Sequence, residues 1–426
     1  MPRRFQTALP PVMHEVLAAV GVLSRDMGSK AYLVGGIVRD IVIGYSNIDL
    51  DVVIDGDGVE LARAFAAKTG AVFKGPTRFG TSKVESRAFG TIDFATARTE
   101  SYERPGALPE VERSTIGKDL VRRDFTINAM AISLDPSDYG ELVDPFGGLE
   151  DVGRRRLRIL HGRSLLDDPT RILRGVRFAA RYNFRFEANT LKRLKECLAA
   201  GCLRSISGKR AYTELRHICA DDRPLKGLRT LERYGMLAGI HPGLGLDDHR
   251  RELMSSLPRS IESVAKAAGA GFANPWLCWF AALFAGIGRR RAQRLSEYLN
   301  LPAGVRDVCL WMSSDLKKTA AQLARLAPAK AYEATSLLKT IPQEAIPHLH
   351  AVSSRRGRGL IRRYLSQWRH VAPDLTGGEI ASLGIGEGPL VGKMLDEILR
   401  LKLEGKIKTR ADELNFLRGA GARKLH

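Results

Sequence analysis

The stretch Ile48-Asp49-Leu50-Asp51-Val52-Val53-Ile54 sets two carboxylates two residues apart in an otherwise apolar run. Side chains of a β-strand alternate between its faces. As a strand, the segment sends Ile48, Leu50, Val52 and Ile54 into a core and keeps Asp49 and Asp51 together on the opposite face. Neighbouring carboxylates repel each other unless positive charge stands between them. A divalent cation supplies that charge, and two-metal sites suit in-line phosphoryl or nucleotidyl transfer. Two ordinary acids on a solvent-facing strand edge are the plainer reading of the same residues.

The flanking sequence adds to the first reading. Upstream, a helix over 10–27 leads to a strand at 31–34, and Gly35-Gly36 opens a helix over 37–43 that Gly44 closes. Glycine lets backbone N–H groups approach a phosphate closely, and a helix N-terminus favours an anion. Arg39, one turn into that helix, is placed to hold the same phosphates. Downstream, a helix over 58–69 precedes strands within 71–98, with turns at Gly75-Pro76, Gly80 and Gly90. The last strand, Thr91–Arg98, carries a third acid, Asp93. Residues 99–118 hold Pro105-Gly106, Pro109 and Gly117 with few apolar side chains, which predicts a mobile loop. A helix over 123–130 and a strand over 131–134 complete this part.

After residue 160 the strand signals fade. Apolar residues recur at helical spacing over 168–182, 188–200, 209–220, 224–237 and most of the remainder. Asp144-Pro145-Phe146-Gly147-Gly148 is read as a hinge before the change. The 426 residues suffice for several domains, and 44% hydrophobic and 27% charged residues are ordinary for a globular protein. The net charge of +20 is not ordinary and points to a polyanion, nucleic acid above all. No apolar run approaches the roughly 20 residues that span a bilayer, and the N-terminus leads into no signal-like segment. Cys197, Cys202, Cys219, Cys278 and Cys309 form no CxxC pair, and they read as reduced thiols of a cytoplasmic protein without a zinc site.

Gly35-Gly36 followed by the Asp49/Asp51 strand resembles the signature of the polymerase-β nucleotidyltransferase superfamily. Asp93 then fits its third carboxylate, which helps to deprotonate an attacking hydroxyl. Arg122-Arg123-Asp124-Phe125-Thr126-Ile127-Asn128-Ala129-Met130-Ala131 resembles a signature block of class II tRNA nucleotidyltransferases and bacterial poly(A) polymerases. The resemblance implies that Arg123 touches a nucleotide and that Asp124 and Asn128 organise the ribose pocket. The alternative is an N-capped amphipathic helix with Asp124 as a local hydrogen-bond partner. Asp167-Asp168-Pro169-Thr170-Arg171 onward, through Arg174 and Arg177 to Phe178, resembles the nucleotide-selecting helix of that family, although the family usually has Glu where Asp167 stands. Pro169 suits the first helical position, which makes Asp168 a natural N-cap. Arg171, Arg174 and Arg177 lie three apart, along one slowly drifting face. An Asp that accepts from an exocyclic amino group and an Arg that donates to the ring serve cytosine and adenine alike, whereas uracil and guanine offer a carbonyl to the Asp. Asp168 and Arg171 are therefore the expected base readers, with Arg174 and Arg177 nearer the phosphates. A capped helix with a basic stripe is the plainer reading. Near the end, Ser382–Gly392 and Leu403–Arg410 resemble the tail of bacterial members, and the glycine-rich turn is suited to gripping an RNA phosphate.

The resemblance implies an α+β chain: a polymerase-β-like head of mixed sheet and helices over 1–160, an all-α neck with the selecting helix over 161–240, and a helical body and tail over 241–426 that bind tRNA. It implies transfer of C and A residues from CTP and ATP to the tRNA 3′ end, with pyrophosphate released. Mg²⁺ would be held by Asp49 and Asp51, and the acceptor and T arms would be the docking partner, with no membrane involved. CC-only addition, A-only addition and poly(A) synthesis remain open within the family. In Tyr102-Glu103-Arg104-Pro105-Gly106-Ala107 a glycine stands where an acid is expected, which favours the CC-only branch. A non-catalytic RNA-binding protein is the rival outside the enzymes, and the three intact acids speak against it. A small-molecule nucleotidyltransferase would need neither the charge nor the helical half.

Overall fold

The structure, a computed structural model, describes the chain apart from residues 1–4, 6, 46–48, 78, 105, 107–108, 270, 384–387 and 423–426, and apart from the side chains of 420–422. Ile48 and the glycine-rich turn at 384–387 thus lie outside the described residues. The chain divides into two compact units, Met1–Glu214 and Leu215–His426.

The first unit begins with α1 (Pro11–Asp26), β1 (Lys30–Val34), α2 (Gly36–Ile43), β2 (Leu50–Asp55) and α3 (Gly58–Thr69). Asp57 caps α3 by accepting from the backbone N–H of Val59 and Glu60, both at 3.0 Å. Strands β3 (Val72–Lys74), β4 (Thr81–Ser86) and β5 (Gly90–Thr96) follow, and β8 (Ala131–Ser133) and β9 (Leu142–Val143) come later. These form one seven-stranded sheet in the order β3-β4-β5-β2-β1-β8-β9. Strands β2 and β5 run parallel, and the other pairings are antiparallel.

Both faces of this sheet are covered. Leu33, Leu50, Val52, Ile54, Ile92 and Phe94 pack with α1, α2 and α3 in the larger core. Val53 points the other way and packs with Tyr32, Val34, Ala97, Leu120, Ala129 and Ala131. Burying a side chain of this size contributes roughly 1.5–3 kcal/mol, so a one-residue slip of β2 would cost most of the core. The alternation expected for Leu50, Val52 and Ile54 is therefore enforced. Asp51 shares the face of Val53, at the end of the strand where the second, smaller core stops.

Three sequence expectations for the first unit change. Residues 99–118 are not simply a loop: β6 (Arg98–Ser101) and β7 (Glu110–Arg113) pair antiparallel, and α4 (Ile116–Val121) follows. The cross-strand partners Arg98–Arg113 and Ser101–Glu110 join segments far enough apart that a local scan for apolar residues passes over them. The helix expected over 123–130 is only a 3₁₀ turn at Thr126–Asn128, because Asp124 and Asn128 are buried and turned to side-chain partners. Cys197 and Cys202 form a disulfide, with Cα atoms 5.5 Å apart, while Cys219, Cys278 and Cys309 are free and buried. The chain turns back at Gly201 just after α8 (Ala188–Ala199), and this brings the first two cysteines together.

The remaining elements of this unit are α5 (Gly148–Gly153), β10 (Arg156–Leu157), α6 (Ser164–Asp167), α7 (Thr170–Tyr182), β11 (Arg185–Phe186), α8 and α9 (Gly208–Cys219), the last of which runs past the division at Glu214. In the segment read as a hinge, Asp144 caps α5, accepting from the N–H of Gly148 at 2.7 Å and of Leu149 at 2.9 Å.

The second unit is helical among its described residues, from Pro224–Arg233 to Arg410–Ala422. The helix expected over 224–237 breaks at Gly235 into Pro224–Arg233 and Met236–Ile240. The last helices gather around Leu375, Ile380, Ile398 and Leu417. No helix among the described residues is long and apolar enough to cross a membrane.

Candidate active site

Strand β2 lies between β1 and β5, and its register places Asp51 directly beside Asp93. The two carboxylates are cross-strand neighbours on one face. Asp49, one residue before β2, is exposed and adds to the negative field on Asp51. Asp51 reaches solvent from within a concavity. Desolvation is the chief reason that its pKa rises to about 6, and Asp93 adds to it against the opposing pull of Arg123. Lys83, opposite Asp93 on β4, pairs with it at 2.6 Å. Sequence reading missed Lys83. The alternation around it, with Val84 buried in the larger core, is the signal that puts it on the carboxylate face.

The turn from β1 into α2 brings the backbone against this pair. Gly35 has φ +79°, and a Cβ there would stand 3.2 Å from Arg123 Nη1 and 3.5 Å from Asp51 Oδ2. Glycine is thus required both by the conformation and by the close approach of charged groups.

Gly35, Gly36, Arg39, Asp51, Arg123, Asp124, Asn128, Asp168, Arg171, Arg174 and Arg177 all line one cleft of about 580 Å³. Asp93 stands beside Asp51 through the strand register, so of the expected residues only the exposed Asp49 and the Lys83-bound Asp93 are absent from the lining. Seven arginines and five carboxylates line the cleft, an excess of positive charge that suits a polyphosphate.

Within the cleft a chain of hydrogen bonds joins α2, the 3₁₀ turn and α7. Tyr182 OH accepts from Arg39 Nη2 at 2.7 Å, and Arg39 Nη1 donates to Asn128 Oδ1 at 2.6 Å. Asn128 Nδ2 donates to Asp124 Oδ1 at 2.8 Å, and Arg174 Nε donates to Asp124 Oδ2 at 2.7 Å. Burial alone would raise the pKa of Asp124. The Arg174 charge and the bonds from Asn128, Arg174 and the Phe125 N–H outweigh it and bring the value to about 2. Arg39 is buried, also paired with Asp40 at 2.8 Å, and lies over the rings of Phe178 and Tyr182. Its guanidinium thus faces several protein groups at once, where sequence reading placed it on phosphate. Arg177 lies over the Phe178 ring, 5.1 Å from its centre.

Asp119, fully buried on α4, was not singled out by the sequence. It pairs with Arg122 at 2.7 Å and Arg123 at 2.9 Å, and this aims both guanidinium groups from the α4 end. Burial pushes its pKa up, but the two arginines more than reverse that. The three- and four-residue spacing to Arg122 and Arg123 is the sequence signal.

α7, which also contributes to the lining, is assigned from Thr170, although Pro169 already has helical angles (φ −65°, ψ −13°). Asp168 Oδ1 accepts from the Thr170 N–H at 3.1 Å, the bond expected of an N-cap. Arg171 is buried, with Nη1 donating to Ser164 Oγ at 2.6 Å and Nη2 to the Arg122 carbonyl at 2.5 Å. Glu100, Tyr102, Arg122, Arg210 and Glu214 also line the cleft and were missed. Tyr102 and Glu100 come from the segment read as a loop, and Arg210 and Glu214 from a helix that sequence showed only as periodic. Burial raises the Glu214 pKa against the pull of Arg174 and Arg177.

A second concavity of about 690 Å³ lies in the second unit. Arg223, Lys226, Arg229 and Arg233 line it, with Pro258, Ile261, Pro275 and Trp279 among the apolar groups.

Residues 31–158 match the poly(A) polymerase head domain family, and residues 183–246 match a family described as a probable RNA and SrmB-binding site of polymerase A. An A-adding tRNA nucleotidyltransferase of Halalkalibacterium halodurans is 32% identical over 413 residues, covering 95% of this chain and 92% of that protein. A CC-adding tRNA nucleotidyltransferase of Deinococcus radiodurans is 32% identical over 404 residues, covering 93% and 91%. An A-adding enzyme of Geobacter sulfurreducens is 30% identical over 413 residues, 96% of this chain but only 47% of that protein, so the chain spans about half the length of that relative. A CCA-adding enzyme in an apo form superimposes with a TM-score of 0.82 at 29% identity, covering 98% of both chains. A Thermotoga maritima CCA-adding enzyme complexed with tRNA superimposes with a TM-score of 0.76 at 28% identity, also covering 98% of both.

The mixed sheet with its carboxylate pair and arginine-lined cleft is a polymerase-β-type nucleotidyltransferase head, carried on an otherwise helical chain. The chain belongs to the tRNA nucleotidyltransferase and poly(A) polymerase family.

Proposed function

We propose that this chain adds C and A residues to the 3′ end of tRNA, taking nucleoside monophosphates from CTP and ATP and releasing pyrophosphate. The observation that carries the reading is the register pairing of Asp51 with Asp93, with Asp51, Asp168 and Arg171 lining one and the same cleft. Chemistry is assigned to a head over 1–160, base selection to a neck over 161–240, and the hold on the acceptor and T arms to a body and tail over 241–426. The cytoplasm, where tRNA and both triphosphates are at hand, belongs to the same reading.

The carboxylates fit a divalent metal such as Mg²⁺. Asp93 stands beside Asp51, Asp49 adds to the negative field, and the pKa of Asp51 is raised toward 6, so a cation on Asp51 would relieve a repulsion already present. No three His, Cys, Asp or Glu side chains among the described residues form a ready cage, so an oxygen-rich substrate would complete the shell. When bound, the metal would lower the cost of negative charge on the triphosphate and on the attacking 3′-oxygen. Asp49 and Asp51 would hold it. Asp93, leaving Lys83, would take the proton of the 3′-hydroxyl, and Lys83 would then face the developing charge. Gly35 and Gly36 present the backbone to the phosphates at the start of α2. Arg123, Arg174 and Arg177 steady the triphosphate, while Asp124 and Asn128 shape the ribose end. Arg39, held by Tyr182, Asn128 and Asp40, keeps that network in place from below.

Addition of A alone, or of CC alone, is the second reading. Relatives of both kinds support it at full-length coverage, and Gly106 in place of an acid supports the CC branch. Incubation with tRNA lacking three, two or one 3′-terminal nucleotides, with CTP and ATP singly and together, tests both. Full CCA on the shortest tRNA supports the first reading. Extension that stops after CC, or that starts only on a tRNA ending in CC, replaces it with the second. No extension of any tRNA overturns both.

A further inference from the structure

Four charged side chains stand in a row across one face of the sheet. The register sets Lys74 on β3 opposite Lys83 on β4, Lys83 opposite Asp93 on β5, and Asp93 opposite Asp51 on β2. Like charges that face each other across two strands are unfavourable. Lys74 turns instead to Glu85, with Nζ 2.6 Å from Oε2. Lys83 turns the other way, and its Nζ stands 2.6 Å from Asp93 Oδ1 and 2.8 Å from Oδ2. One ammonium thus covers both oxygens of Asp93, while the neighbouring Asp51 lines the cleft.

This pair is easily exchanged. Its side chains are 53% and 42% exposed, and an ion pair so open to water contributes little to stability. The pairs that hold Arg122 and Arg123 differ, because their shared carboxylate, Asp119, is fully buried. Resting on the reading of Asp51 and Asp93 as the centre of a metal-assisted transfer, we propose that Lys83 is a positioning residue, a resident cation that keeps Asp93 in reserve. In the substrate-free chain it stands where a divalent cation spanning Asp51 and Asp93 would compete with it. Asp93 is thereby kept from becoming a metal ligand and stays available to the 3′-hydroxyl. An anionic substrate that draws the ammonium to itself uncovers the carboxylate, which the strand register has already set beside Asp51. A cross-strand pair that only steadies the sheet is the plainer account of the same contact. It predicts a lower melting temperature without Lys83 and an unchanged affinity for cations.

The test is Mn²⁺ binding to the full chain without RNA or nucleotide, read by the paramagnetic signal of the free ion, together with melting temperature in chelator. Lys83→Met is expected to tighten Mn²⁺ binding by about fivefold, the upper end for an exposed ion pair. Lys83→Arg, which keeps a cation on Asp93, should bind as the parent chain does. Lys74→Met removes a charge from the same face without uncovering Asp93 and should change the affinity far less, since exposed charges farther off are largely screened. In an Asp93→Asn background Lys83→Met should add nothing, because the competition needs the carboxylate. Extension of a CCA-lacking tRNA by Lys83→Met should pass through a maximum and fall at high Mg²⁺, where the parent chain reaches a plateau. Tightening that persists with Asp93→Asn, an unchanged affinity with a lowered melting temperature, or a plateau in both chains overturns the inference. If Asp51→Asn weakens Mn²⁺ binding and Lys83→Met leaves it unchanged, only the role of Lys83 falls. If neither variant alters the affinity, the metal reading of the Asp51 centre falls and the inference with it.

Discussion

At the scale of single residues, Asp51 shows how a site declares itself against stability. Its folded pKa, near 6, lies above the ordinary carboxylate value of 3.8. The folded protein therefore holds the proton more tightly than the unfolded chain does. Stability falls as pH rises from about 4 to 6, and the whole penalty is present above 6. Asp51→Asn should thus raise the melting temperature at pH 7.5, without added metal, and do little at pH 4. The same variant should reduce nucleotide transfer by at least a hundredfold, because the substitution removes a charge from the reacting centre. Asp51→Asn that melts lower at pH 7.5, or keeps near-normal turnover, contradicts the reading. Cation affinity has the matching sign: it should weaken as pH falls through 6, when Asp51 takes up its proton. Titration of Mg²⁺ dependence between pH 5 and 8 checks this. Asp168→Ala should lower discrimination against U and G by about tenfold, whereas a pure capping role would cost about 1 kcal/mol of stability and leave discrimination alone.

At the scale of elements, buried polar groups decide which helices tolerate acid. In the second unit the helix Ile346–Val352 carries His348, fully buried, with Nε2 donating to the Cys278 carbonyl at 2.8 Å. Burial pulls its pKa down to about 4, and the bond to Cys278 resists only in part. His350 on the same helix is also pulled to about 4, by burial and then by Arg358 and Arg362. The unfolded chain therefore binds more protons than the folded one between pH 6.5 and 4, and stability is lost as pH falls through that window. For His348 alone the loss approaches about 3 kcal/mol at the acid end. His348→Gln, which keeps a donor for Cys278, should flatten the stability slope between pH 6.5 and 4 in denaturant titrations. An unchanged slope would show that the ring is not buried neutral. In the first unit the element that differs most from sequence expectation is the β6–β7 pair. Its strand character resides in cross-strand bonds between Arg98–Ser101 and Glu110–Arg113, not in an apolar alternation.

At the scale of the whole molecule, the +20 charge is its most general property. Not every basic run serves RNA: Arg154 pairs with Glu150 and Arg156 with Asp151, each at 2.8 Å. The groove of Arg223, Lys226, Arg229 and Arg233 beside Trp279 combines phosphate-sized charge with an aromatic surface. Affinity for tRNA should fall linearly on a log–log plot against salt. Arg223→Glu and Arg233→Glu should each weaken binding and reduce the steepness by about one for every phosphate left without its cation. Filter binding from about 50 to 300 mM salt, a range over which the Debye length falls by more than half, reads both quantities. A flat plot, or slopes that the variants share with the parent chain, removes the electrostatic account.

The sequence by itself determined the strand carrying Asp51, the Gly35-Gly36 turn, the helix read over 168–182 with its arginines and the helical second half. Each depends on local periodicity, capping or turn chemistry, which neighbouring residues encode. It also marked many of the residues that line the cleft. Tertiary structure alone decided which groups meet. The parallel pairing of β2 with β5 puts Asp93 beside Asp51, and β4 brings Lys83 onto Asp93. Burial turns Arg39 toward Tyr182 and Asn128. The turn at Gly201 joins Cys197 to Cys202, and α9 carries Arg210 back to Asp168 and Gly106. Most of these pairs lie tens of positions apart in the chain. Their energies depend on strand register and on exclusion of water, and no local stretch of sequence contains either.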